Sequence, residues 1–124
     1  MSLKRISQFF NPASVAVIGA SNTPTRAGFV VMRNLLQGGF KGPIMPVTPT
    51  HSAVHGVLAY PDIAALPKVP DLAVICTNKN TLLSIIEQLG ELGCKSAIVI
   101  ADGLSLSQKT ALKRAANAHH VTLL

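Results

Sequence analysis

The stretch SVAVIGASNTPTRAGFVVMRNLL, Ser14 to Leu36, decides how the chain is read. Val15-Ala16-Val17-Ile18 is a continuous apolar run of the kind that forms a strand buried on both faces of a parallel sheet. Gly19 ends it and lets the backbone turn sharply. Ser21, Asn22 and Thr23 then supply short polar groups. From Arg26 to Gln37, Phe29, Val30, Met32, Leu35 and Leu36 gather on one side of a helix that Gly38-Gly39 stops. Strand, glycine turn and helix together present backbone N–H groups and a positive dipole end to an anion. Arg26 stands at the mouth of that helix, placed for a charge-assisted contact. The spacing is not that of a dinucleotide fingerprint, because Ala20-Ser21 follow Gly19 and the next glycine is Gly28.

The same alternation continues along the chain. Leu72-Ala73-Val74-Ile75 and Ala97-Ile98-Val99-Ile100 read as further buried strands. Pro43 to Val47 is a weaker strand whose prolines predict irregular ends, and Val121 to Leu124 starts a fifth. Helices are predicted over Thr81 to Leu92, with Asn80 as N-cap and Gly93 as stop, and from the capping box Ser105-Leu106-Ser107-Gln108 through Ala118. Ala59 to Pro67 holds a short helical turn after Pro61. Alternating strands and helices predict an α/β fold, a Rossmann-like doubly wound parallel sheet, with residues 1–124 as one domain. Ligands of such sheets sit at the carboxyl ends of the strands near the topological switch point. Four segments are therefore candidates: Gly19 to Gly28, Val47 to His51, Cys76 to Lys79 and Ala101 to Gly103.

Composition narrows the classes. With 48% apolar and 13% charged residues, the 124-residue chain can bury one core. No apolar run approaches the ~18–20 residues that span a bilayer, and the first ten residues lack the features of a signal peptide. Cys76 and Cys94 have no C-x-x-C spacing, so reduced thiols and a cytoplasmic location are expected. The net charge is +6, but there is no Trp, one Tyr and four Phe, which gives base stacking little to work with. Nucleic acid is not an expected partner. A small polyanion accounts for the positive excess, and so does a solvated basic surface. His51 and His55 lack a third convergent ligand, so no metal is expected.

The second strand argues against a nicotinamide dinucleotide. Such a site places Asp or Glu there for the ribose 2′-OH, whereas this strand ends Val47-Thr48-Pro49-Thr50 without an acid.

NPASVAVIGAS (Asn11 to Ser21), Pro24, Gly28, PVTP (Pro46 to Pro49), YPDIAALP and DLAVICT together resemble the coenzyme-A-binding domain of NDP-forming acyl-CoA synthetases, a family that includes the α part of succinyl-CoA synthetase. MRNLLQGGFKGPIMPVTP, VLAYPDIAALP and PDLAVICTN also resemble the N-terminus of Pat-type protein lysine acetyltransferases, in which a synthetase-like region senses acyl-CoA. The resemblance implies coenzyme A or acetyl-CoA as ligand, with no redox cofactor. Gly19, Ala20, Ser21, Arg26 and Gly28 match its first phosphate loop, and Val47, Thr48 and Pro49 the segment beside the adenosine. Cys76, Thr77 and Asn78 match the loop near the pantetheine, and Ile100 and Ala101 the fourth strand's end. Two departures stand out: Ala101-Asp102-Gly103-Leu104 replaces an alanine-glycine-phenylalanine turn, and Thr50 stands where many relatives carry lysine. These favour a regulatory site over standard synthetase chemistry. The chain reads as the CoA-binding N-terminus of a Pat-type acetyltransferase, with a true ADP-forming acyl-CoA synthetase and a nicotinamide dinucleotide-binding module as the alternatives.

The resemblance also implies that residues 1–124 are the N-terminal fragment of a longer multidomain enzyme. The remaining domains, and protein substrates of the parent, are then its partners. The synthetase's phosphorylated histidine belongs to a second domain, and His119 and His120 read as surface residues. No catalytic residue is expected in the fragment itself. Glu87 and Glu91 read as a solvated face, Asp62 as a cap, and Asp71 as a residue before a strand. Asp102 stands alone at the ligand edge, and Cys76 has only Lys79 near it to activate a thiol.

Overall fold

A computed structural model describes residues 10–124. The buried apolar runs pair as expected into a parallel five-stranded sheet. Its strands are β1 (Val15–Ile18), β2 (Ile44–Val47), β5 (Leu72–Ile75), β6 (Ser96–Val99) and β7 (Thr122–Leu123), in spatial order β2-β1-β5-β6-β7. A separate antiparallel hairpin, β3 (Ala53–Val54) and β4 (Val57–Leu58), interrupts the path from β2 to β5. Three α-helices lie among the described residues: α1 (Ala27–Gln37), α2 (Leu82–Leu92) and α3 (Leu106–Ala118).

Alternation along the strands builds two cores. Ala16, Ile18, Ala73, Ile75 and Ala97 point to one face, where Leu82, Ile85, Ile86 and Leu89 of α2 and Leu112 and Ala116 of α3 cover them. Val15, Val17, Leu72 and Val74 point to the other, under Met32 of α1 and Val54 of the hairpin. Both faces are thus shielded, which is why these strands carry no polar alternation. The fold is the doubly wound α/β sheet that the periodicity predicts.

Register positions the site. Ile18 of β1 pairs with Val47 on one side and Ile75 on the other, so three strands end at the same level. The chain leaves β1 for β2 on one flank and returns to β5 on the opposite flank. The crevice at the switch point therefore opens between the β1 and β5 loops.

Several boundaries differ from expectation. Arg26 is the N-cap of α1 rather than its first helical residue. A 3-10 turn (Lys79–Thr81) precedes α2, and its cap is Asn78, whose side chain accepts from Asn80 N–H at 2.8 Å, so Asn80 does not cap. The fourth strand runs over Ser96–Val99, one residue earlier than predicted, and leaves Ile100 outside. His119 is half-buried instead of free on the surface: a Cβ on Gly90 would overlap its ring, so α2 and the end of α3 meet there. The Ser105–Gln108 capping box forms in both directions, and Gly93 ends α2 with φ +101°.

Candidate functional site

Gly19 turns out of β1 with φ +85°, a conformation that glycine adopts without strain. A Cβ there would meet Thr77 Cγ2 at 2.9 Å and the Cys76 carbonyl at 3.0 Å, so glycine also permits the β1 and β5 loops to touch. The amides of Gly19 and Ala20 both donate to the carbonyl of Val47, at 3.0 and 3.2 Å, and tie the turn to the end of β2. Gly28 lies beneath this turn. A side chain on it would overlap the carbonyl oxygen of Gly19, so the helix lies directly against the loop.

Between these loops lies a cleft of roughly 360 Å³ lined by Gly19, Ala20, Ser21, Thr23, Arg26, Thr50, His51, Cys76, Thr77 and Asn78. The first turn of α1 contains no acidic residue and its N-cap, Arg26, makes no side-chain cap. The positive end of the helix is therefore uncompensated and faces the same region as the exposed Arg26. On the opposite wall, Thr81 Oγ1 lies 2.8 Å from both Thr77 Oγ1 and the Asn78 carbonyl and shares its one proton between them, which fixes the loop after β5. The third wall is a hydrogen-bonded series at the end of β2: Thr48 Oγ1 to Thr50 Oγ1 at 3.1 Å, then Thr50 Oγ1 to His51 Nδ1 at 2.9 Å. A roomier groove of roughly 440 Å³ takes its lining from α3 and the region of β7, away from the ends of β1 and β5.

Seven of the residues singled out in the sequence line one cleft: Gly19, Ala20, Ser21, Arg26, Cys76, Thr77 and Asn78. Gly28 is buried behind it. Val47 and Thr48 are buried at the end of β2, and Pro49 is exposed beside them. Ile100 and Ala101 do not line it. Thr23, read from the sequence as a polar group of the loop, does line it, and so do Thr50 and His51, which were not read as contacts. Thr50 carried a signal as a departure from the lysine of relatives; His51 stood within the candidate segment but read as a surface residue.

Burial pushes the Cys76 thiol up to about 11, which keeps it protonated and a weak nucleophile. Among the described residues, no three His, Cys, Asp or Glu side chains cluster to hold a metal. No helix among them is long and apolar enough to cross a membrane.

A glycine-closed cleft beside a helix N-terminus and Arg26 does not by itself name a ligand. Comparison with known proteins narrows the choice: the family model for a CoA binding domain matches residues 13–124. The chain belongs to that family. It is 37% identical over 109 residues to the 4-hydroxybutyrate–CoA ligase (ADP-forming) of Nitrosopumilus maritimus, covering 87% of this chain and 15% of that protein. To the acetate–CoA ligase (ADP-forming) II of Archaeoglobus fulgidus it is 35% identical over 100 residues, with 81% and 15% covered. The structure superposes on the dinucleotide-forming acetyl-coenzyme A synthetase 1 of Ca. Korarchaeum cryptofilum, in complex with phosphate and ADP, with a TM-score of 0.93 and 33% identity, covering 98% of this chain and 27% of that one. This CoA binding domain therefore spans a small part of its relatives, 15% of the length of the A. fulgidus ligase. The two ligases are ADP-forming, and the likeness to acetyltransferases rests on the quoted sequence stretches alone.

Proposed function

We propose that the chain binds coenzyme A or an acyl-CoA as the CoA-binding domain of an ADP-forming acyl-CoA synthetase. The observation that carries the reading is the convergence of the uncapped α1 N-terminus and Arg26 on the cleft beside Gly19, in a chain of this family. The pyrophosphate lies against Ser21 and the first turn of α1, where Arg26 adds a charge-assisted hydrogen bond. Thr48, Thr50 and His51, with Val47 and Pro49, form the adenosine side, and Cys76, Thr77 and Asn78 the path of the pantetheine. A shielded, protonated thiol at Cys76 suits a wall of that path better than an acyl carrier. The domain's role is to hold the thioester ligand; the remaining domains of the parent chain supply the chemistry.

A regulatory acetyl-CoA site in a protein lysine acetyltransferase is the second reading. Thr50 in place of lysine and the Ala101-Asp102-Gly103-Leu104 turn favour it, whereas the kinship with ADP-forming ligases favours the first. Titration calorimetry with CoA and NAD tests the shared ligand: CoA binds and NAD does not, and the reverse result sinks both readings. The full-length parent then separates them. ATP formation from acyl-CoA, ADP and phosphate marks a synthetase; acetyl transfer to a lysine-containing protein without ATP formation marks the acetyltransferase.

A further inference from the structure

Asn22 stands in the middle of the phosphate loop, yet it does not line the cleft. Its side chain turns away to the β3–β4 hairpin and uses both of its polar groups there. Nδ2 donates to the carbonyl of Ala53 at 3.0 Å, and Oδ1 accepts from the backbone N–H of His55 at 3.1 Å. These are the only side-chain hydrogen bonds between the loop and the hairpin among the described residues. His55 makes a second link, because its ring packs on Phe29 in the first turn of α1 with centroids 4.4 Å apart.

The hairpin accepts a cost to make these contacts. Its two turn residues, His55 and Gly56, both have positive φ, at 49° and 78°, the sign pattern of a type I′ turn. Asn or Gly suits the first of these positions far better than His. The His55 ring also carries Nε2 inward, where it is buried and has no hydrogen-bond partner among the described residues. A residue at positive φ with an unsatisfied buried nitrogen needs other contacts to hold it in place. Here the holding contacts run to the two components of the anion site, the loop through Asn22 and the start of α1 through Phe29.

We infer that Asn22 and His55 are positioning residues for the ligand: the hairpin clamps the phosphate loop onto α1 in its binding shape, without either side chain touching the cleft. The inference rests on the CoA-binding reading. Three variants test it, with CoA affinity by calorimetry and thermal unfolding measured on each. Asn22→Ala removes both hydrogen bonds and lowers CoA affinity by about tenfold, the factor expected for hydrogen bonds whose loss must be made good on binding. His55→Asn relaxes the turn, so it unfolds at or above the wild-type temperature and still binds CoA more weakly, because the seat on Phe29 is gone. A purely structural role predicts the opposite coupling, with affinity following stability. Leu112→Val, in the α2–α3 core, lowers the unfolding temperature and leaves affinity unchanged. Wild-type affinity in both Asn22→Ala and His55→Asn overturns the clamp while leaving CoA binding intact. Failure of the wild-type chain to bind CoA overturns the underlying reading instead.

Discussion

Arg26 is exposed and has no competing cap to make, so its guanidinium is available to a phosphate. Replacing it by Ala weakens CoA binding by about 1.5–3 kcal/mol, the range for a hydrogen bond to a charged group. The loss shrinks as salt rises, because the contact is open to counterions; calorimetry at two ionic strengths measures it. Gly28→Ala has a harsher outcome. Backbone, not a flexible side chain, stands where the new methyl would go, so α1 and the Gly19 turn must separate. CoA binding is lost and the denaturant midpoint falls, by about 1–3 kcal/mol of stability for overpacking of this kind. Cys76 gives a pH signature. Its folded-state value, raised from 9.0 to about 11, means that the unfolded chain releases its proton first. The stability from the neutral thiol is full below pH 9 and is lost as pH climbs toward about 11. Urea unfolding of wild type and Cys76→Ala across that window isolates it: the variant falls less steeply. At this scale the sequence was informative where chemistry is local. Gly19 and Gly28 announce a turn and a close approach, but nothing in the order of residues says that Thr50 and His51 line the cleft while Thr48 is buried behind them.

The elements that dictate themselves are those whose signal is repeated along several residues. β1 and β5 are continuous apolar runs because both faces are covered, and Ser105 with Gln108 marks the start of α3 through two reciprocal hydrogen bonds. Ser105→Ala therefore costs about 1 kcal/mol, the usual worth of an N-cap, and chemical denaturation reads it directly. α2 shows where such signals mislead. Two asparagines two residues apart both suit a cap, and the 3-10 turn over Lys79–Thr81 selects Asn78. The hairpin was hidden altogether. Its strands are two residues each, Ala53 and Leu58 are exposed, and its turn is built on His-Gly instead of the Asn-Gly that signals a type I′ hairpin. The clamp on Asn22 is formed with residues 31 and 33 positions further on, a separation at which no periodicity speaks.

For the whole molecule, the order β2-β1-β5-β6-β7 places the first strand inside the sheet, with a neighbour on each side. The fold class was legible from the alternation of runs and helices, because only a sheet covered on both faces explains so little polar alternation in its strands. The strand order was reachable only through the general rule for such folds. The same order has a consequence for the chain during its synthesis. The backbone N–H of Cys76 donates to the carbonyl of Ile18 at 2.7 Å, and the wall that it begins is needed by a turn made at residue 19. A nascent chain that has emerged only as far as β2 holds the glycine turn, α1 and Arg26, yet the cleft has no far side. Ribosome-bound chains stalled before Asn78 clears the exit tunnel are not protected from protease by added CoA, and chains that have also released α2 and α3 to cover the sheet are.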